Sequence, residues 1–250
     1  MIVEDVEFRV WAALRPIDAV TRLALEAPLL VRGEGQVWAR NRSGLWVLHQ
    51  LHAPGARRAE FAAYEASFPE PTAVAPAVDV VARIDDPGGR RLSRRVRLTL
   101  PRAANAALGV LPPLFSPIDV ALYPAPNAPL AAPWAVLRAH VERAGAGVPG
   151  CVITVHEPGD ATRALGRGQS DARGEAVVAV PGVPVHIPSG GPSAFVRERA
   201  AQATVVFEPG ADFPPDTDAL AEATGPGFLR RTVDVVIASG RMTPLQINLP

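Results

Sequence analysis

Apolar and polar residues alternate in short runs along most of this chain. Arg95-Val96-Arg97-Leu98-Thr99-Leu100 does so without a break, the period-two pattern of a half-buried strand. Val6, Phe8 and Val10 alternate with Asp5, Glu7 and Arg9 in the same way. Residues 78–84, 118–123, 134–141, 151–155, 175–180, 203–207, 233–238 and 245–249 predict further strands. Residues 36–40 and 45–48 flank Asn41-Arg42-Ser43-Gly44, which predicts a hairpin. Asp85-Asp86-Pro87-Gly88-Gly89 and Pro149-Gly150 are turn chemistry. Helical pattern is confined to residues 57–66, RRAEFAAYEA, and a short turn near Asp218–Ala223.

Composition strengthens the β reading. The 250 residues include 27 prolines and 21 glycines, spread along the whole length. Each proline removes a backbone donor and fixes φ, which favours short strands between turns over long helices. The expected class is all-β: two β-sandwich domains with long proline-rich loops. Residues 102–116, RAANAALGVLPPLFS, have no clear period and read as connecting chain. The expected organisation is an N-terminal domain at 1–102, a linker at 103–116 and a C-terminal domain at 117–250. PIDAVTRLALEAPL at 16–29 echoes PIDVALYPAPNAPL at 117–130, which leaves duplication open. Segments 188–202 and 208–230 read as the long loops. Such loops are usually functional or disordered. Removing 210–227 is therefore expected to leave domain folding nearly intact.

Charge narrows the partners. The formal net charge is zero and every basic residue is an arginine. No global field draws the chain to nucleic acid or to an anionic membrane, so neither partner is expected. A single cysteine, Cys151, excludes an intrachain disulfide framework. Met1-Ile2-Val3-Glu4-Asp5 lacks the basic start and apolar run of a signal peptide, and a cytoplasmic location is expected.

One stretch carries a family resemblance. The strand Trp134–Val141 precedes Val148-Pro149-Gly150-Cys151-Val152-Ile153-Thr154-Val155. The turn Ser170-Asp171-Ala172-Arg173-Gly174-Glu175 then leads into Val177-Val178-Ala179-Val180-Pro181-Gly182. In order and spacing, residues 133–187 resemble the carboxypeptidase regulatory-like domain, a small transthyretin-like β-sandwich. The resemblance implies a structural or accessory module without catalytic residues. The residues themselves read as a sheet corner: Asp171 can accept from nearby N–H groups and Gly174 can supply a positive φ. The strings RVWAALRPIDAVTRLALEAPLLVRG, RNRSGLWVL, DDPGGRRLSRRVRLTLPR, VALYPAP and WAVLRA resemble proteins encoded beside sheath and baseplate genes of phage-tail-like contractile injection systems. That resemblance implies a non-enzymatic structural or assembly component, with other protein subunits as its partners. The alternative is a carbohydrate- or cell-surface-binding β-sandwich module.

Candidate chemistry is sparse. His49 and His52 lie three apart in LHQLH, which suits a metal on a helix but points to opposite faces of a strand. Asp212, Asp216 and Asp218 offer oxygen ligands but lack the calcium-loop glycine and glutamate. A solvated loop with Thr217 or Asp218 capping a short helix fits them better. Neither a metal site nor a cofactor is expected. Arg90, Arg91, Arg94, Arg95, Arg97 and Arg102 form a basic stripe that could meet an acidic protein partner or cover an exposed sheet face. Phe213 and Phe228 stand among prolines and acids and could be buried against a partner. Trp38, Trp46 and Trp134 could stack on sugars or close the end of a core. Cys151 reads as a small buried side chain, and no local nucleophile–base motif is present.

Overall fold

The computed structural model describes residues 10–52, 59, 78–100, 102, 113–114, 116–186, 195–196 and 198–250. The fold is all-β. Chain contacts divide it into two compact units that interleave in sequence. The first comprises Met1–Ile17, Ala24–Ile84 and Val96–Val120, and the second Asp18–Leu23, Asp85–Arg95 and Ala121–Pro250. Residues 18–23 and 85–95 thus belong with the second unit, although the expected N-terminal domain at 1–102 includes them. The expected linker at 103–116 falls mostly outside the described residues, as do Val6, Phe8 and all but Ala59 of the 57–66 helix.

The first part of the chain supplies β1 (Ala12–Asp18), β2 (Leu30–Arg32), β3 (Gln36–Arg40), β4 (Trp46–Leu51), β5 (Val78–Asp85), β6 (Arg94–Leu100) and β7 (Ile118–Leu122). They form sheets in the orders β3-β4-β1-β7 and β2-β5-β6. β1 lies between two neighbours and is buried on both faces except at Arg15, whose Nε bonds Asp119 Oδ1 at 2.6 Å. The β3–β4 hairpin turns as its sequence predicts: Asn41 Oδ1 accepts from Ser43 N and Leu45 N, and Gly44 has a positive φ.

The second part supplies β8 (Ala135–Arg143), β9 (Ala146–Gly147), β10 (Val152–Glu157), β11 (Asp160–Gln169), β12 (Glu175–Val180), β13 (Val185–His186), β14 (Phe195–Val196) and β15 (Arg199–Phe207). The helix α1 (Thr217–Glu222), β16 (Leu229–Ile237) and β17 (Met242–Asn248) complete it. The segments read as loops at 188–202 and 208–230 are shorter than expected, because β14, the start of β15, α1 and the start of β16 fall within them. Sheets β11-β10-β15-β16 and β12-β8-β17 share one core. Alternate residues supply it: Leu137, Val141, Val178 and Ile247 from one sheet, Ile153, Val155, Val205 and Ile237 from the other. β17 runs parallel to β8. Where β11 passes β12, a Cβ on Gly166 would stand 2.6 Å from Ala179 O, and one on Gly168 2.5 Å from Val177 O. Only glycine allows that approach. On the opposite face of β10 and β15, Val152 and Val206 are covered by Leu220 and Ala223, with Phe228 packed against them. Among the described residues no helix is long and apolar enough to cross a membrane.

Candidate functional site

The Ser170–Glu175 turn is built from its own backbone. Asp171 Oδ1 accepts from Arg173 N at 2.8 Å and Glu175 N at 3.0 Å. Asp171 N donates to Glu175 O, and Gly174 N returns to Asp171 O. Gly174 sits at φ +81, and a Cβ there would meet Val141 O and come within 2.8 Å of Val148 N. The turn is therefore clamped against β8 and the chain at the end of β9. Its side chains hold a corner, with Arg173 reaching into solvent.

The arginine stripe is not a uniform surface. In β6 the positions Arg94, Val96, Leu98 and Leu100 share the buried parity, while Arg95, Arg97 and Thr99 share the outer one. Arg94 therefore points inward, and its exposure is 0%. A guanidinium cannot shed its proton, so burial demands partners. Arg94 Nη2 donates to Asp218 Oδ2 at 2.7 Å and Nη1 to Ala121 O at 2.9 Å. Asp216 Oδ1 lies 3.6 Å away and Nε reaches Arg95 O. Arg95 bonds Asp212 at 2.6 Å, and its backbone N donates to Pro215 O. Arg91 pairs with Asp18, which also accepts from Val20 N and Thr21 N. Four aspartates thus meet three arginines within the second unit.

This arrangement reassigns most of the stripe. Arg94, expected as a partner contact, has no surface to offer, because strand parity turns it into the interior. Arg91 and Arg95 are engaged by intrachain carboxylates. Arg90 contributes backbone bonds: its N donates to Asp86 Oδ2 and its O accepts from Ala125 N. Arg97 lies on the exposed face of β6. Arg102 Nε bonds Pro113 O, and burial lowers its pKa from the ordinary arginine value. The aspartates considered as calcium ligands supply the counter-charge instead. Asp216 is the N-cap of α1, accepting from Asp218 N and Ala219 N, so the cap lies one residue before the expected Thr217 or two before Asp218.

The remaining candidates separate clearly. Phe228 packs over the Val152–Val206 face, whereas Phe213 is 44% exposed. His49 lies on β4 and His52 just beyond it; among the described residues no group of three His, Cys, Asp or Glu side chains could hold a metal. Trp38, Trp46 and Trp134 are half-buried, and the Trp38 indole N–H donates to Gln36 Oε1. Burial pushes the Cys151 thiol up to about 12, against a weaker opposing bond from Ser170, so it is no nucleophile near neutral pH. Burial likewise raises the Tyr123 phenol, with Arg94 opposing and Asp218 reinforcing the shift.

The sequence reading missed Asp18, Tyr123, Gln169 and His156. Gln169 is buried and donates to Ser93 O, and His156 is buried with Nε2 2.9 Å from Thr204 Oγ1. None of these four carried a local signal, whereas the inward turn of Arg94 was legible in its parity with Val96, Leu98 and Leu100. Comparison of the chain with protein-family models, curated proteins and solved structures finds no match.

Proposed function

We propose that this chain is a non-enzymatic structural component of a phage-tail-like contractile particle, acting through contacts with other protein subunits. In this reading its second unit is a transthyretin-like β-sandwich of the carboxypeptidase regulatory-like kind. The succession of β8, β10, the Asp171–Gly174 turn and β12, with two sheets around a shared core, supports that architecture. The observation that carries the functional reading is Phe213. It is an exposed aromatic ring on a segment fastened on both sides, by Asp212 to Arg95 and by Pro215 O to Arg95 N. A ring held on fixed backbone loses little freedom when a partner covers it, which is the economy of an interface anchor. The tagged protein, purified from cells that assemble the particle, should co-purify with sheath and baseplate. Phe213→Ala should lower that recovery at unchanged stability. Absence of the full-length protein from purified particles rejects the role.

A further inference from the structure

The edge strand β16 carries a pattern complementary to itself. Cys151 O accepts from Ser170 N on the β11 side, so odd residues of β10 bond β11 and even residues bond β15. The register Val152↔Val206, Thr154↔Thr204 and His156↔Gln202 carries this alternation into β15, whose odd residues then bond β16. In the pairing of β15 with β16, Ala201↔Val235 and Ala203↔Val233 are the bonded pairs. The N–H and C=O of Arg230, Thr232, Asp234 and Val236 therefore point away from β15. The bond from Thr243 Oγ1 to Val236 O confirms that direction independently and closes that end of the edge. β16 is last in its sheet, and Arg230, Thr232 and Asp234 are exposed.

We propose that a second copy of this chain pairs antiparallel along β16, about a two-fold axis through Thr232. The axis stands perpendicular to the sheet, so outer faces stay together and the four strands of each copy continue into one another. Thr232 then opposes Thr232, and each Arg230 opposes the other copy's Asp234. All these residues present their backbone groups to the edge, and each pair exchanges both of its N–H···O bonds. The opposite-charge pair occurs twice, once on each side of the axis. Gln202 Nε2 bonds one oxygen of Asp234 and Ala223 O accepts from Arg230 Nη2; the other carboxylate oxygen and the remaining guanidinium donors are left for the pair between copies. The free edge runs from Arg230 to Asp234, and Val236, 47% exposed, borders it where Thr243 closes the strand. Charged residues on an edge ordinarily repel unrelated strands. Here they select one register of one partner. This dimer does not depend on the particle role.

Sedimentation equilibrium of the full chain tests the proposal, with circular dichroism checking the fold of each variant. The wild type should show a reversible dimer. Thr232→Pro, which removes an N–H that β15 does not use, should be a folded monomer. Asp234→Arg should also be monomeric, because it sets arginine against Arg230 twice, and adding Arg230→Asp should restore the dimer. Thr232→Cys should form a disulfide-linked dimer under mild oxidation, whereas Arg230→Cys should not, and this readout stands even if the proline variant unfolds. A monomeric wild type overturns the proposal. So does a folded Thr232→Pro variant that dimerises like the wild type, or cross-linking of Arg230→Cys in place of Thr232→Cys.

Discussion

The Asp171–Gly174 turn and the Arg94 cluster are both fastened by aspartates of the second unit. The bonds of the turn span two to four residues, whereas that from Arg94 to Asp218 spans 124 and that from Arg95 to Asp212 spans 117. The turn closes little chain and involves partly exposed groups, so it forms from local chemistry alone. The cluster forms only when distant segments have already met, and it must then neutralise a guanidinium with no access to water. The turn therefore shapes one corner, while the cluster ties residues 212–218, which connect β15 to β16, to Arg94 and Arg95. Arg94 is fully buried while the Asp218 side chain is 55% exposed, so the costly loss is that of the carboxylates, which strands a buried guanidinium.

The largest expected effect follows from removing residues 210–227. This deletes Asp212, Asp216 and Asp218, and it uncovers Val152 and Val206 by removing Leu220 and Ala223. Loop closure alone changes by less than about 1 kcal/mol for such a shortening. The lost counter-charges and apolar cover outweigh that term, so near-native folding after this deletion is no longer the expected result. Amide exchange in β10 and β15 should lose its slow phase. Retention of that phase would make the segment an appendage.

Next comes the paired substitution Asp216→Ala with Asp218→Ala. It leaves Arg94 buried without a carboxylate and removes the α1 cap, with an expected loss of about 3–5 kcal/mol. A urea midpoint close to wild type would show that Ala121 O and solvent suffice for Arg94.

On the local side, Gly174→Ala should cost about 2–3 kcal/mol. A left-handed residue alone costs about 1–2 kcal/mol, and the added Cβ also meets Val141 O. Asp171→Ala should cost about 1–2 kcal/mol for two lost N–H acceptors. Arg173→Ala should fall within about 0.5 kcal/mol, because that side chain is 78% exposed. If Arg173→Ala were as damaging as Asp171→Ala, the turn would depend on its ion pair and the local account would need revision.

The same contrast explains what could be read from the chain. Asp171 with Gly174, and Asn41 with Gly44, announce themselves because donor, acceptor and positive φ lie within a few residues. Strand alternation in β6 was equally plain, and it placed Arg95 and Arg97 outward. Carried one step back, the same parity turns Arg94 inward. What periodicity cannot supply is the partner. Asp212, Asp216 and Asp218 sit among prolines in a stretch with loop composition, and nothing local distinguishes a solvated carboxylate from one that meets a buried arginine. The parallel pairing of β17 with β8 was hidden for the same reason. The interleaving of the units was hidden too, since residues 18–23 and 85–95 carry ordinary turn signals. His156 lies on a face with Thr154 and Thr204, where alternation reads as solvent-facing.

The most direct test is a double-mutant cycle on Arg94 and Asp218. Arg94→Met, Asp218→Asn and the combined variant would be compared by urea unfolding. If the pair anchors the 212–218 segment, Asp218→Asn alone should be damaging and the combined variant much less so than the sum. The expected coupling is about 2–3 kcal/mol. Effects that add to within about 0.5 kcal/mol would mean that the two groups do not depend on each other, and the cluster would not be what holds the segment in place.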